Sequence, residues 1–157
     1  MATHNNVMIS STVRDLPNHR REVMDACLRL DLFPKMMEQL PSSDVGAIRD
    51  SVKLVDNSDV YLGVFAHRYG HIPDGYDISV TEMEYNRAVE RKIPRFIFMM
   101  ADEHQILFAD VEADQLEKLG EFKKRLMKEN TVSFFASPAD LRAHVIYSFE
   151  NALFVAQ

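Results

Sequence analysis

The run "DVYLGVFA" at residues 59–66 is apolar along almost its whole length. A strand with one wet face alternates apolar and polar residues, so an unbroken run of this length is expected where both faces of a sheet are covered, as in parallel sheets flanked by helices. Similar runs recur as "NVMIS" (6–10), "PRFIFMM" (94–100) and "TVSFFA" (131–136), with amphipathic stretches between them. That alternation is the signature of an α/β domain built on a parallel sheet.

The intervening segments read as helices. "LPNHRREVMDACLRL" places Pro17 in a first turn and Val23, Met24, Cys27, Leu28 and Leu30 at helical spacing. "LFPKMM" (32–37) reads as a second strand that Pro34 confines to an edge. "PSSDVGAIRDSVKLVDNS" offers a Ser/Asp cap ahead of Val45, Ile48, Val52 and Val55. Helices are also expected after Ser79, across "EADQLEKLGEFKKRLMKEN", and from "SPADLRAHVIYSFENALF", where Ser137 and Asp140 form a capping pattern around Pro138. Five strands with helices between them predict a three-layer doubly wound α/β fold with a five-stranded parallel sheet. The flavodoxin-like order 2-1-3-4-5 is the simplest right-handed winding.

A chain of 157 residues at 46% hydrophobic content fits one domain, taken as residues 1–157, with a core that needs no disulfide or metal. The net charge of -6 is spread along the length with no basic block, which argues against direct nucleic-acid binding. One cysteine, Cys27, excludes an internal disulfide and fits a reducing, cytoplasmic setting; its apolar neighbours predict a buried, inert thiol. No secretory pattern opens the chain, and no run approaches the ~18 apolar residues a membrane span needs. His67 and His71 are four apart, but the "RYG" between them argues against a helical metal pair, and no metal is expected. The apolar helix pattern still running at "NALFVAQ" points to a chain cut from a longer protein or to a helix continuing into a linker.

In a doubly wound sheet ligands bind beyond the carboxyl ends of the strands, where the first and third strands diverge. Three segments fall there: "SSTVRD", "HRYGHIPDGYD" and the helix carrying Glu82 and Glu84. No GxGxxG or GxxxxGK[ST] occurs. The hydroxyls of Ser10, Ser11 and Thr12 can hold ribose or phosphate near a helix N-terminus, or simply cap it, and Arg14 and Asp15 read as an adjacent ion pair at the surface. Gly70 and Gly75 permit tight turns, while Arg68, Tyr69 and Tyr76 offer a cation and aromatic faces for an anion and a base, or pack on the sheet. At 100° per residue, Thr81, Tyr85, Ala88 and Val89 form the stripe that faces the sheet. Glu84 lies just off it, in the row Val80, Glu84, Ala88; Glu82 lies off the opposite margin. Glu84 is therefore the better candidate for a partly buried carboxylate, although a solvated first-turn acid suits either position.

The segments "VMISSTVRDLPNHR", "VDNSDVYLGVFAHRYG" and "ISVTEMEYNRAVERKIP" together resemble a domain-of-unknown-function family found at the N-terminus of large multidomain proteins that carry NACHT or related STAND-type signalling ATPases. Domains of that family are similar in fold to TIR domains and to nucleoside deoxyribosyltransferases. In both enzyme groups a catalytic glutamate opens the equivalent helix and a small residue follows four positions later, a spacing that Glu84 and Ala88 reproduce; Thr81 falls where many TIR domains carry a small polar or thiol residue. The resemblance implies an N-glycosidase that cleaves NAD or a related nucleotide as substrate, with no separate cofactor. It implies Glu84 as the catalytic residue and Ser10, Ser11, Thr12, Arg14, Arg68, Tyr69 and Thr81 as the substrate-binding set. It also implies an oligomeric effector in a defence or signalling protein, with a NACHT/STAND-type ATPase as partner domain. A non-enzymatic homotypic assembly domain and a deoxyribosyltransferase-like enzyme are the alternative readings.

Overall fold

The computed structural model describes residues 6–12, 15–37, 44–101 and 113–156. Strands β1 (Asn6–Ser11), β2 (Phe33–Lys35), β3 (Val60–Phe65), β4 (Arg95–Met100) and β5 (Val132–Phe135) form one sheet in the order β2-β1-β3-β4-β5. Every pairing is parallel. The winding is the one expected from the alternation of runs, and Pro34 lies on an edge strand, opposite Val7.

Five helices cover the two faces: α1 (Pro17–Arg29), α2 (Asp44–Asp56), α3 (Val80–Arg91), α4 (Leu116–Glu129) and α5 (Pro138–Ala156). Val7 and Ile9 of β1 and Leu62 and Val64 of β3 point into a core with Val23 and Cys27 of α1 and Leu141, Val145 and Phe149 of α5. Met8, Tyr61 and Phe65, one residue out of phase, join Val55 of α2, Tyr85 and Ala88 of α3, and Leu119, Phe122 and Leu126 of α4. The period-2 alternation of strand side chains thus separates an α1/α5 layer from an α2/α3/α4 layer. Phe122 centres the second core, with edge-on contacts to Phe65, Tyr69 and Tyr85 at centroid distances of 5.3, 6.2 and 5.6 Å.

Caps fix the helix starts that matter for the site. Ser79 is extended and its Oγ accepts from the backbone N–H of Glu82 at 3.1 Å, so α3 begins at Val80. α3 ends where Lys92 turns left-handed at φ 57° and returns its N–H to the Val89 carbonyl. At α5, Ser137 Oγ accepts from the Asp140 N–H and the Asp140 carboxylate accepts from the Ala136 N–H, the reciprocal pattern its sequence predicts.

Two amphipathic faces differ from the apolar spacing. In α2 the apolar residues Val45, Ile48, Val52 and Val55 mark the helix in the sequence. Of these only Val55 is fully buried; Ala47 and Ser51 are buried beside it, Ile48 and Val52 are half-buried, and Val45 is 72% exposed. The reason is that α2 packs against α3, where Arg87 grips Asp56 in a bidentate pair (2.7 and 3.0 Å), and a small-residue row permits that approach. In α1, Leu28 is exposed while His19 and Arg20 are buried. Arg20 reaches past the short β2 and donates to the Met37 carbonyl at 2.8 Å, which satisfies its charge within the fold.

Candidate functional site

Ser10 is the fifth of the six β1 residues and points to the α2/α3 side, in phase with Met8 and paired with Gly63 of β3. Ser10 Oγ donates to Glu84 Oε1 at 2.7 Å, joining the carboxyl end of β1 to the second turn of α3. Glu84 is only 5% exposed. The helix is rotated slightly from the stripe read in the sequence: Val80, Thr81, Glu84, Tyr85 and Ala88 are buried, and Val89 is half-buried. Burial pushes the Glu84 carboxyl up from 4.5 to about 7, against the lowering influence of the Ser10 and Ser51 hydroxyls and the Arg20 charge. A carboxyl so poised exchanges a proton near neutrality and, once ionised, offers a desolvated negative charge to a developing cation.

A second polar cluster caps the same strand ends. Thr12 Oγ1 donates to Asp15 Oδ1, and burial raises the Asp15 carboxyl above its ordinary value despite that bond, a backbone bond from His67 and the charge of Arg68. Asp15 Oδ2 and Ser11 Oγ are buried without a hydrogen-bond partner among the described residues. Gly70 links the two clusters: its φ is +102°, and a Cβ there would lie 3.0 Å from Thr81 Oγ1 and 3.4 Å from Thr12 Cγ2. The loop after β3, the end of β1 and the start of α3 therefore meet at a backbone approach only glycine fits.

The sequence-derived set divides accordingly. Ser10 touches Glu84; Thr12 and Thr81 flank Gly70; Arg68 acts on Asp15; Ser11 lies beside them on β1, pointing to the α1/α5 side. Arg14 lies outside the described residues. Tyr69 serves the other glutamate: its hydroxyl donates to Glu82 Oε1 at 2.7 Å and accepts from the Ser79 N–H at 3.2 Å. Glu82 also pairs with Arg125 at 3.6 Å, on a cleft of ≈ 500 Å³ lined by Tyr69, Glu82, Lys118, Phe122 and Arg125. Asp15, which the sequence suggests as a surface partner of Arg14, is partly buried, and no motif or spacing marks Ser51, Tyr61 or Arg20. Ser51 and Arg20 act on Glu84, Tyr61 on Ser10 and Arg68 on Asp15, all from elements distant in the chain that no local pattern encodes. Among the described residues, no three His, Cys, Asp or Glu side chains gather to hold a metal ion, and no helix is long and apolar enough to cross a membrane.

A five-stranded parallel sheet wound on both faces, with Ser10, Thr81 and Glu84 buried where the end of β1 meets the start of α3, defines a doubly wound α/β domain of the flavodoxin-like class. Residues 6–150 match the family described as "Domain of unknown function (DUF4062)", and the chain belongs to that family. Among solved structures it is similar to the crystal structure of a conserved protein from Enterococcus faecalis V583, at a TM-score of 0.51 and 12% identity, over 91% of this chain and 98% of that one. At such identity the likeness concerns the fold alone. No curated protein matches the chain.

Proposed function

We propose that this domain is a TIR-like N-glycosidase that cleaves NAD or a related nucleotide, with Glu84 as its catalytic carboxylate. The observation that carries the reading is the placement of Glu84, buried on α3 and bonded to Ser10 at the carboxyl end of β1, where burial favours its protonated form. In the proposed reaction the bond between the ribose anomeric carbon and the nicotinamide nitrogen breaks heterolytically, and its electron pair leaves with the neutral base. The ionised Glu84 stabilises the oxocarbenium ion that remains; water then adds to the anomeric carbon and gives up a proton. Nicotinamide is already a good leaving group, so no second acid is required. Ser10, Ser11, Thr12, Arg14, Arg68, Tyr69 and Thr81 are proposed to hold the sugar, phosphates and base, with the nucleotide as substrate and no separate cofactor.

In this reading the domain acts in the cytoplasm as a homo-oligomeric effector of a defence or signalling protein, joined to a NACHT/STAND-type ATPase. The test is nicotinamide release from NAD by the enforced oligomer, alongside Glu84→Gln. Release that is abolished by the substitution supports the proposal; no release from a folded oligomer refutes it. A second reading, homotypic assembly without catalysis, is favoured by the exposed Phe33 and Phe134, one on each edge strand of the sheet. Concentration-dependent light scattering that is lost on replacing both phenylalanines would support it.

A further inference from the structure

The surroundings of Glu84 contain more hydroxyls than the one that binds it. Ser51 of α2 and Tyr61 of β3 are both fully buried, and neither Ser51 Oγ nor Tyr61 OH completes a hydrogen bond of good geometry among the described residues. A buried hydroxyl without a partner carries an unfavourable desolvation cost, so two of them beside one carboxyl call for an explanation. The strand register brings Tyr61 there. It shares a face with Gly63, which pairs with Ser10, and a Cβ on Gly63 would lie 2.5 Å from the Phe65 ring and 3.0 Å from the Tyr61 ring. The absence of a side chain at Gly63 leaves room for both rings, and the Tyr61 hydroxyl lies near Ser10 and feels the Glu84 carboxyl. Ser51 lies on the buried small-residue row of α2, the helix that packs on α3. It lies close enough to act on the Glu84 carboxyl without completing a bond of good geometry.

Resting on the reading of Glu84 as the catalytic group, we propose that Ser51 and Tyr61 are positioning residues. With Ser10 they form a three-hydroxyl cradle from β1, α2 and β3 that holds the ionised Glu84 carboxylate. Ser10 bonds one oxygen in the structure, and small rotations of the other two hydroxyls complete the cradle when the charge forms. The charged and titratable groups facing the cradle are Arg20 from α1, which favours the ionised carboxylate, and Tyr85 and Arg95, which act on Tyr61.

The test is a carbon-13 NMR titration of the Glu84 side-chain carboxyl in the full chain, assigned with Glu84→Gln, for Ser51→Ala, Tyr61→Phe and Ser51→Thr. Loss of one hydroxyl from the carboxylate should raise the midpoint by about one pH unit in each of the first two variants, and Ser51→Thr, which keeps the hydroxyl, should restore it. Tyr61→Phe keeps the ring and its packing, so it remains informative if Ser51→Ala does not fold. Unchanged midpoints in folded variants overturn the proposal. Midpoints that move in a protein releasing no nicotinamide uphold the cradle and refute the glycosidase reading alone. If both readings hold, the pH profile of release shifts to the alkaline side in step with the midpoint.

Discussion

Replacing Glu84 by glutamine should make the protein more stable above neutral pH, although it removes a buried hydrogen-bonding acid. The unfolded chain releases the Glu84 proton near 4.5, whereas the folded chain keeps it until about 7. Between those values the folded state binds the extra proton, so the contribution of this group to stability is complete below about 4.5 and is lost as pH rises through about 7. A difference of about 2.5 pH units at 1.36 kcal/mol each makes the loss roughly 3 kcal/mol. Glutamine has the same shape, carries no charge and can still accept from Ser10 through its carbonyl. At pH 8 the variant should exceed the parent by up to roughly 3 kcal/mol, or about 6–12 °C in Tm for a domain of this size; at pH 4.5 the two should nearly coincide. Urea unfolding followed by circular dichroism across pH 4.5 to 8 measures both, and subtracting the variant from the parent cancels other titrating groups. A difference that stays flat across that range, or a variant less stable than the parent at pH 8, would mean that Glu84 ionises at its ordinary value and is not desolvated as argued.

Cys27 is buried and its thiol is pushed up to about 12, so Ellman's reagent should leave the native protein untouched and react once it is unfolded. Gly70→Ala should cost about 1–3 kcal/mol, because φ is +102° and the new methyl would crowd Thr81; thermal unfolding reads this directly. Phe122→Ala should cost roughly 3–5 kcal/mol by opening a cavity among Phe65, Tyr69 and Tyr85, measurable in urea melts. Ser10→Ala should raise the Glu84 midpoint further, since the Ser10 hydroxyl lowers it, and NMR titration would show the shift.

The sheet and its strand order were legible because runs such as residues 59–66 and 94–100 are too continuously apolar for any strand with a wet face, and short crossovers leave few windings. The capping of α5 was legible because Ser137 and Asp140 act within four residues. The faces of α1 and α2 were not. Amphipathic spacing names the apolar residues, but the partner surface selects the face, and the α3 neighbour of α2 selected Ser51 over Val45. Periodicity likewise set Glu84 at the margin of a stripe, and a rotation of α3 too small for any pattern to fix turned it inward.

By itself, then, the sequence determined the layers, the winding and the end of the sheet where polar groups collect, because those follow from local periodicity and the handedness of the chain. Only the tertiary structure decided that Glu84 meets Ser10 while Glu82 meets Tyr69, and that Asp15 is partly buried. The physical reason is that a carboxyl's ionisation depends on the water removed from it and the donors brought to it, and both are supplied by residues distant in the chain.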